Sequence, residues 1–171
     1  MDRFLAGVER RAYQMARVST GDPDAALDIV QDAMYRLVKS YQHKSADDWP
    51  PLFYRILNNA ITDWHRQRSR GWKVFDRWFG ADDTVDPVNT APAPVSLQPE
   101  RQVQTNESLQ QLETALQELP PRQQQAFMLR CWEGLSTRDT ATAMGCSEGT
   151  VKTLYSRALH RLREQLEHPD A

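Results

Sequence analysis

The stretch GLSTRDTATAMGCSEGTVKTLYSRALHRLR, residues 134–163, decides how the C-terminal part of the chain folds. Ser136 is a good N-cap for a short first helix, and Gly145 can adopt the left-handed conformation that ends it. Ser147 can then cap a second, longer helix that begins at Glu148. Two helices joined by a tight turn containing glycine form the helix-turn-helix pattern, whose second helix enters the DNA major groove.

The second helix of this pattern has an unusual outer face. At roughly 100° per residue its apolar side chains fall on one side, and the opposite side is small, hydroxylated and basic. Small residues allow close approach to a duplex, hydroxyls bond phosphates or bases, and Lys and Arg meet guanine edges or phosphates. An ordinary amphipathic helix in a bundle is the alternative, although the turn chemistry disfavours it. The candidate DNA-contacting residues are Ser147, Gly149, Thr150, Lys152, Thr153, Ser156, Arg157 and His160.

The length and composition of the chain indicate one or two small globular domains. With 171 residues and 40% hydrophobic residues, the chain can bury real cores. No apolar run approaches the roughly 20 residues of a membrane span, and the first residues lack the apolar core of a signal peptide. A soluble, cytoplasmic protein without membrane insertion is expected. Cys131 and Cys146 are too few for a disulfide framework or a cysteine-rich metal site, and Cys131 is predicted to be buried in an apolar helix.

The charge of the chain is nearly balanced overall but unevenly distributed. Twenty-one Lys and Arg residues stand against 23 Asp and Glu residues, for a net charge of −2. Residues 55–77 are locally basic, whereas residues 73–107 are acidic. Because non-specific DNA affinity comes from many phosphate contacts, a near-neutral chain is not expected to bind DNA strongly by itself.

The N-terminal part has the apolar periodicity of helices over residues 2–19 and from Pro23 to about Tyr41. The Gly, Asp and Pro residues at 21–23 break the pattern between them. The outer face of the second helix is rich in acids and amides. Such a face is usually only solvated, but it also suits docking of a basic partner, and composition does not decide between the two. Its central residues are Asp28, Gln31 and Asp32.

A third helix is predicted from Pro50 to about Arg70, after a polar loop at residues 42–49. Asn59 and Asp63 stand one turn apart on its outer side, so their polar ends can converge on one ligand, such as a base edge. The alternative is an amide and a carboxylate with no role on the surface. The basic residues of this helix are Arg55, Arg66, Arg68 and Arg70.

Residues 73–107 have the composition of a flexible linker, with repeated proline and an acidic segment. The linker would separate a first domain at residues 1–72 from a second at residues 108–171. Four helical segments are predicted in the second domain, so the fold class is all-α, with two small helical domains and a C-terminal helix-turn-helix. Four aromatic residues at the first boundary are expected to dock on the first domain or on a partner; these are Trp72, Phe75, Trp78 and Phe79.

Four motifs together resemble the small bacterial RNA polymerase sigma factors of the extracytoplasmic-function type. The first domain contributes DIVQDAMYRL at 28–37 and LFYRILNNAITDWHRQRSR at 52–70. The second contributes LQELPPRQQQAFMLRCWEGLS at 116–136 and GCSEGTVKTLYSRALHRLR at 145–163. Each half alone is only moderately specific, but both in this order around a Pro-rich linker form a strong signal.

The resemblance implies two partners, core RNA polymerase and promoter DNA. It implies that Asp28, Gln31 and Asp32 bind the clamp helices of the largest polymerase subunit and that polymerase contacts extend to its flap region. Residues 42–49 and the following helix would capture an unpaired base and open the −10 element, and the helix-turn-helix would read the −35 element. An anti-sigma factor is a further implied partner. At the −10 element, the resemblance implies that Asn59 and Asp63 contact bases and that Arg66, Arg68 and Arg70 contact backbone phosphates. Arg55 is a further candidate for binding the −10 element.

Four features depart from the family pattern, one of which is the Pro50-Pro51 pair, unusual at the start of the −10 segment. Leu154 stands where the family often has Arg, Thr140 replaces an aliphatic residue in the first helix of the motif, and Leu52 replaces a common Trp. These departures concern the promoter sequence that is read and the packing at Thr140, not the class of protein.

Two other functions can be weighed against the sigma factor. Asp82, Asp83 and Asp86 spell a DDxxD magnesium motif, but they precede Pro87 in the predicted linker, where no rigid helix would hold them. No histidine spacing suggests a metal site, and neither a catalytic residue nor a cofactor is expected. A stand-alone helix-turn-helix regulator with an N-terminal sensing or dimerisation domain explains the second domain equally well. It leaves the acidic helix and the Asn59/Asp63 pair without a role.

Overall fold

The computed structural model describes residues 1–68 and 103–167, and the regular structure within these ranges is all helical, as predicted. Arg70, the four boundary aromatics, the DDxxD segment and residues 69–102 of the linker region lie outside the described residues. The described helices are α1 (Asp2–Thr20), α2 (Pro23–Tyr41), α3 (Trp49–Arg68), α4 (Val103–Glu118), α5 (Pro121–Phe127), α6 (Thr137–Met144) and α7 (Glu148–Glu167).

The turn between α1 and α2 follows from three adjacent residues. Gly21 takes a positive φ of 67° and ends α1. The Asp22 carboxylate accepts hydrogen bonds from the backbone N–H groups of Asp24 and Ala25 at 3.0 and 3.1 Å, which caps α2. Pro23 occupies the first helical turn, where its missing N–H costs nothing. The break expected at residues 21–23 is therefore confirmed.

Helices α1, α2 and α3 pack on one another to form the first domain. Its core contains Met15, Leu37, Phe53 and Leu57, none of which is measurably exposed to solvent. Phe4 packs edge-on against Phe53 with the ring centroids 6.1 Å apart, which closes the core near the N-terminus.

Helices α4 to α7 form the second domain, with Leu116, Met128, Leu129 and Val151 in its core. Helix α4 begins at Val103, so the last five residues of the predicted linker, 103–107, are helical. After α5 the chain continues into a π-helical turn at Met128–Trp132.

The expectation that Cys131 is buried is wrong, since the cysteine is exposed. The π-helical turn holds more residues per turn than an α-helix and shifts the direction of the side chains that follow. Met128 and Leu129 still reach the core, whereas Cys131 turns outward. An α-helical wheel cannot anticipate this change of register.

The two domains pack against each other, with α3 on α6 and α1 on α4. This contact changes which side chains of α3 are covered. Tyr54 and Asn58 are not part of the apolar repeat of α3, yet they are only 1% and 5% exposed. Leu52 and Ile56 belong to that repeat and remain half-buried. Helix α3 therefore buries more of its circumference than the first domain alone requires.

Candidate nucleic-acid interface

The caps of the helix-turn-helix are those that the sequence predicts. The Ser136 hydroxyl accepts a hydrogen bond from the Asp139 N–H at 3.0 Å and begins α6. Gly145 ends α6 with a φ of 65°. The Ser147 hydroxyl accepts from the Thr150 N–H at 3.1 Å and lies 2.9 Å from the Thr150 hydroxyl, which caps α7. The turn is thus held by local hydrogen bonds.

Helix α7 turns its apolar side toward α4, α5 and α6 and its polar side toward solvent. Val151, Leu154, Ala158 and Leu162 are buried. Thr150 is half-buried, and the other candidate residues of the polar side are exposed. We call the exposed set the α7 face; it consists of Ser147, Gly149, Lys152, Thr153, Ser156, Arg157 and His160.

Several groups of the α7 face already have partners within the helix. The Thr153 hydroxyl donates to the Gly149 carbonyl at 3.1 Å, and His160 Nε2 lies 3.5 Å from the Glu164 carboxylate. Gly149 has only the Ser147 hydroxyl near it, at 3.8 Å from the position of a Cβ, so packing within the chain does not require a glycine there. A glycine lowers the stability of a helix, and packing within the chain gives no reason for one here. Gly149 is exposed, so the absence of a side chain leaves room for a partner to approach the helix backbone.

Helix α3 presents a second polar surface, which we call the α3 stripe and define as Arg55, Asn59, Asp63 and Arg66. All four side chains are exposed and fall within about 80° of the helix circumference. Arg66 Nη1 lies 3.9 Å from the Asp63 carboxylate. The structure thus brings together the predicted base-contacting pair and two of the four predicted arginines.

Arg68 lies apart from the α3 stripe. Its guanidinium sits 4.8 Å from the centre of the Trp64 ring, and one nitrogen lies 3.7 Å from the Asp22 carboxylate. These contacts direct it toward the α1–α2 turn. Arg70, the fourth predicted arginine, lies outside the described residues.

His65 attaches the basic end of α3 to the end of α1. Its Nε2 lies 2.9 Å from the Ser19 carbonyl oxygen, so this nitrogen carries the proton and donates it. Burial lowers the pKa of His65 below its ordinary value of 6.5, the nearby Arg68 lowers it further, and the Ser19 carbonyl partly opposes both. The folded protein therefore favours neutral His65.

We expect the free energy of unfolding to decrease as the pH falls from about 7 to about 5, in part because of His65. Below its ordinary pKa the unfolded chain binds a proton that the folded protein resists, so acid favours unfolding. His65→Gln, which retains a donor for Ser19, should flatten this dependence in urea unfolding followed by circular dichroism. His160→Gln, at an exposed site, serves as the control; equal pH dependence in wild type and His65→Gln would contradict the assignment.

Helix α2 carries a third surface, in which acids and apolar side chains are mixed. Asp28 and Gln31 are exposed, and Asp32 is half-buried with its carboxylate 2.8 Å from Arg36. Three large apolar side chains on the same side are exposed at 46%, 63% and 37%, those of Leu27, Tyr35 and Val38. We call the whole set the α2 stripe; it consists of Leu27, Asp28, Gln31, Asp32, Tyr35 and Val38.

Reasoning from the sequence places Tyr35 on the outer face of α2 but misses the other two apolar members of the α2 stripe, since Val38 falls among the apolar residues of the helical repeat and Leu27 is given no role. A helical wheel centred on the observed stripe shows both next to Gln31. Next to the stripe, between α1 and α2, lies a groove of about 430 Å³ that Leu27 and Gln31 help to line. Exposed apolar side chains that cluster in this way mark a protein interaction surface more often than a solvated one.

Within residues 1–68 and 103–167, no group of three or more His, Cys, Asp and Glu residues is arranged to hold a metal ion. A search of the same residues finds no helix with the length and apolar character needed to span a membrane.

Two protein families match the two helical domains in order. The family described as "Sigma-70 region 2" matches residues 2–71, and "Sigma-70, region 4" matches residues 109–162. The chain is 32% identical over 160 residues to the RNA polymerase sigma-E factor of Streptomyces avermitilis, covering 91% of this chain and 78% of that protein. It is 28% identical over 165 residues to the ECF RNA polymerase sigma factor EcfG of Rhodopseudomonas palustris, covering 94% and 81%.

A solved structure is similar over nearly the whole chain. It is the complex of the sigma factor RpoE with the anti-sigma factor NepR from Bartonella quintana. The sigma factor chain shares 27% identity with this one at a TM-score of 0.63, and the match covers 99% of this chain and 98% of that one.

Proposed function

The chain belongs to the sigma-70 family, as a sigma factor of the extracytoplasmic-function type that directs promoter-specific transcription, and we propose that three surfaces divide this work. The α2 stripe binds core RNA polymerase, the α3 stripe reads the −10 element and the α7 face reads the −35 element. The observation that carries this division is that all three surfaces are exposed to solvent on separate helices. One chain can therefore engage polymerase and both promoter elements.

The α3 stripe suits single-stranded DNA. Bases that have left the duplex are read on their exposed edges by amides and carboxylates, and the phosphates beside them attract arginine. Asn59 can both donate and accept, Asp63 accepts, and Arg55 and Arg66 flank the pair. Arg68 is assigned a second task, that of holding the end of α3 through Trp64.

The α7 face suits the major groove of duplex DNA. Lys152 and Arg157 are exposed donors for guanine edges or phosphates, and Ser156 between them is small enough for close approach. The Ser147 and Thr150 hydroxyls hold the helix N-terminus, which points its N–H groups toward a phosphate.

The α2 stripe suits the clamp helices of the largest polymerase subunit, because it combines acids with apolar contact area. A chain of net charge −2 has little general affinity for DNA, so polymerase supplies much of the binding free energy. The second domain then docks on the flap region. We assign the chain no catalytic step of its own and place it in the cytoplasm, where core polymerase acts.

An anti-sigma factor is proposed as the regulatory partner. The support is the solved relative in complex with an anti-sigma factor, together with the exposed apolar side chains of the α2 stripe. An anti-sigma factor that covers them would block core binding directly.

Reconstituted transcription tests the proposal. The purified chain is added to core polymerase on a promoter library, and the initiated transcripts are sequenced. Core-dependent initiation from a defined pair of −10 and −35 sequences is the expected result. The alternative, a stand-alone helix-turn-helix regulator, is not favoured by the comparisons. Such a regulator would bind duplex DNA tightly by itself and would never associate with core polymerase. That outcome would refute the proposed function.

Replacing Asn59 by alanine should reduce promoter opening and discrimination at the −10 element while binding to core polymerase stays unchanged. The amide is exposed, so its loss removes contacts to a base and leaves the helix intact. Permanganate reactivity of unpaired thymines measures opening. Asn106→Ala, an equivalent change at an exposed asparagine of α4, is the control. A loss of core binding in Asn59→Ala would mean that the residue has a structural role instead.

A further inference from the structure

The α2 stripe and the lysine beside it carry two charges that the rest of the described chain does not neutralise. Asp32 and Arg36 pair with each other at 2.8 Å. Asp28 and Lys39 are exposed, and neither forms an ion pair within residues 1–68 and 103–167. The Lys39 ammonium lies 5.8 Å from the centre of the Tyr35 ring, which keeps its charge beside the stripe.

These two charges lie at opposite ends of the stripe. Asp28 and Lys39 are 11 positions apart, which is roughly 16 Å along the helix at about 1.5 Å per residue. Gln31 and Tyr35 lie between them. The helix macrodipole favours acids in the first turn and bases in the last turn, so it accounts for Lys39. It does not account for Asp28, which lies in the second turn, or for the exposed apolar side chains.

The two edges of the stripe differ in chemistry. At roughly 100° per residue, Leu27 and Val38 fall within about 20° of each other on the edge that borders the groove between α1 and α2. Asp28 and Lys39 fall within about 20° of each other on the opposite edge. One edge is therefore apolar along its length, and the other carries an acid at one end and a base at the other.

This arrangement is complementary to itself. A two-fold axis through the middle of the stripe, perpendicular to the helix, places a second copy of α2 antiparallel to the first. The axis keeps each edge on its own side and reverses the order along the helix. Leu27 of one copy then meets Val38 of the other, and Asp28 meets Lys39, with each contact made twice. Apolar side chains cover one another and opposite charges pair.

The charge of the whole chain also suits association between copies. A net charge of −2 on 171 residues imposes little mutual repulsion. A single pair of helices is a smaller interface than the roughly 800 Å² per partner of a standard stable complex, so the association is weak and reversible.

We propose that a second copy of this chain docks antiparallel on the α2 stripe, with Asp28 against Lys39, and that this symmetric dimer cannot bind core polymerase. The inference rests on the proposed function, because the dimer covers the surface assigned to polymerase. The apparent affinity for polymerase falls with the fraction of chains that are free. Accumulation of the protein thus limits its own activity.

Sedimentation velocity of the full chain, from low to several hundred micromolar, tests the dimer without polymerase. Asp28→Lys and Lys39→Asp should each raise the dissociation constant of the dimer at least about tenfold, since each brings two pairs of like charges together. Glu167→Lys and Arg163→Asp make the same charge changes at exposed sites of α7 and should leave the dimer unchanged. Circular dichroism checks that the helices persist in every variant.

The decisive sample is an equimolar mixture of Asp28→Lys and Lys39→Asp. In a mixed dimer an acid faces a base at both contacts, so the mixture should dimerise about as well as wild type, although neither variant does so alone. A wild type that stays monomeric, single variants that dimerise as wild type does, or a mixture that stays monomeric would each overturn the proposal.

Energy transfer between donor-labelled and acceptor-labelled wild-type copies tests whether the surface is shared. Adding core polymerase should abolish the transfer, because α2 can engage only one partner at a time. Transfer that persists in the complex with polymerase would refute the covering of that surface. If wild type never binds core polymerase, the proposed function fails, and sedimentation still decides whether two copies pair through α2.

Discussion

Replacing Arg157 by alanine is expected to reduce transcription from the cognate promoter by a factor of roughly 5 to 150. The value corresponds to the loss of about 1–3 kcal/mol for one bidentate contact between an arginine and a guanine edge. Arg157 is exposed on the α7 face, which is the side of the helix expected to meet base edges. Steady-state initiation with core polymerase measures the effect.

Arg163→Ala provides the control for Arg157, because Arg163 is exposed on the same helix but on another side. The loss in Arg157→Ala should also be restricted to promoters with the cognate −35 base, since a phosphate contact would weaken all promoters about equally. Unchanged initiation in Arg157→Ala would reject base reading by this residue.

Replacing Asp28 by lysine should weaken binding to core polymerase by a factor of roughly 10 to 100. Reversing a charge within an electrostatically complementary interface brings like charges together, which is costly where water is excluded. Asp28 lies in the α2 stripe, beside Leu27. Because its side chain is exposed, the variant should fold normally. Fluorescence anisotropy of the labelled chain, titrated with core polymerase, gives the dissociation constant.

Glu167→Lys changes the net charge equally and lies at the end of α7, far along the chain from the α2 stripe. Similar weakening in both variants would mean that net charge, not the α2 stripe, determines core binding. Retained affinity in both would place the polymerase contact elsewhere on the chain.

Most of the helices could be predicted from local signals. The break at residues 21–23, the left-handed Gly145 and the Ser136 cap depend on residues close together in the sequence, and each is found where the sequence predicts it. Helix α7 is predicted equally well, because its small, hydroxylated and basic side chains are distinct from its apolar side. Their roles in binding DNA stay predictions.

Other features depend on geometry that a helical wheel does not contain. The exposure of Cys131 follows from a π-helical turn, which changes the angular step between residues. Leu27 and Val38 belong to an exposed stripe because no other helix covers that side of α2 among the described residues.

The sequence by itself determined the helices, the domain order and the family, because caps, turns and apolar repeats act over short distances and the motifs are continuous. Only the tertiary structure decided that α3 is covered on a second side and that the side chain of Glu133, in the loop before α6, is buried. Its partner Arg11 lies 122 positions away in the sequence, and Tyr54 belongs to the other domain. A carboxylate is buried or exposed according to which distant part of the chain packs against it. Local sequence patterns do not contain that information.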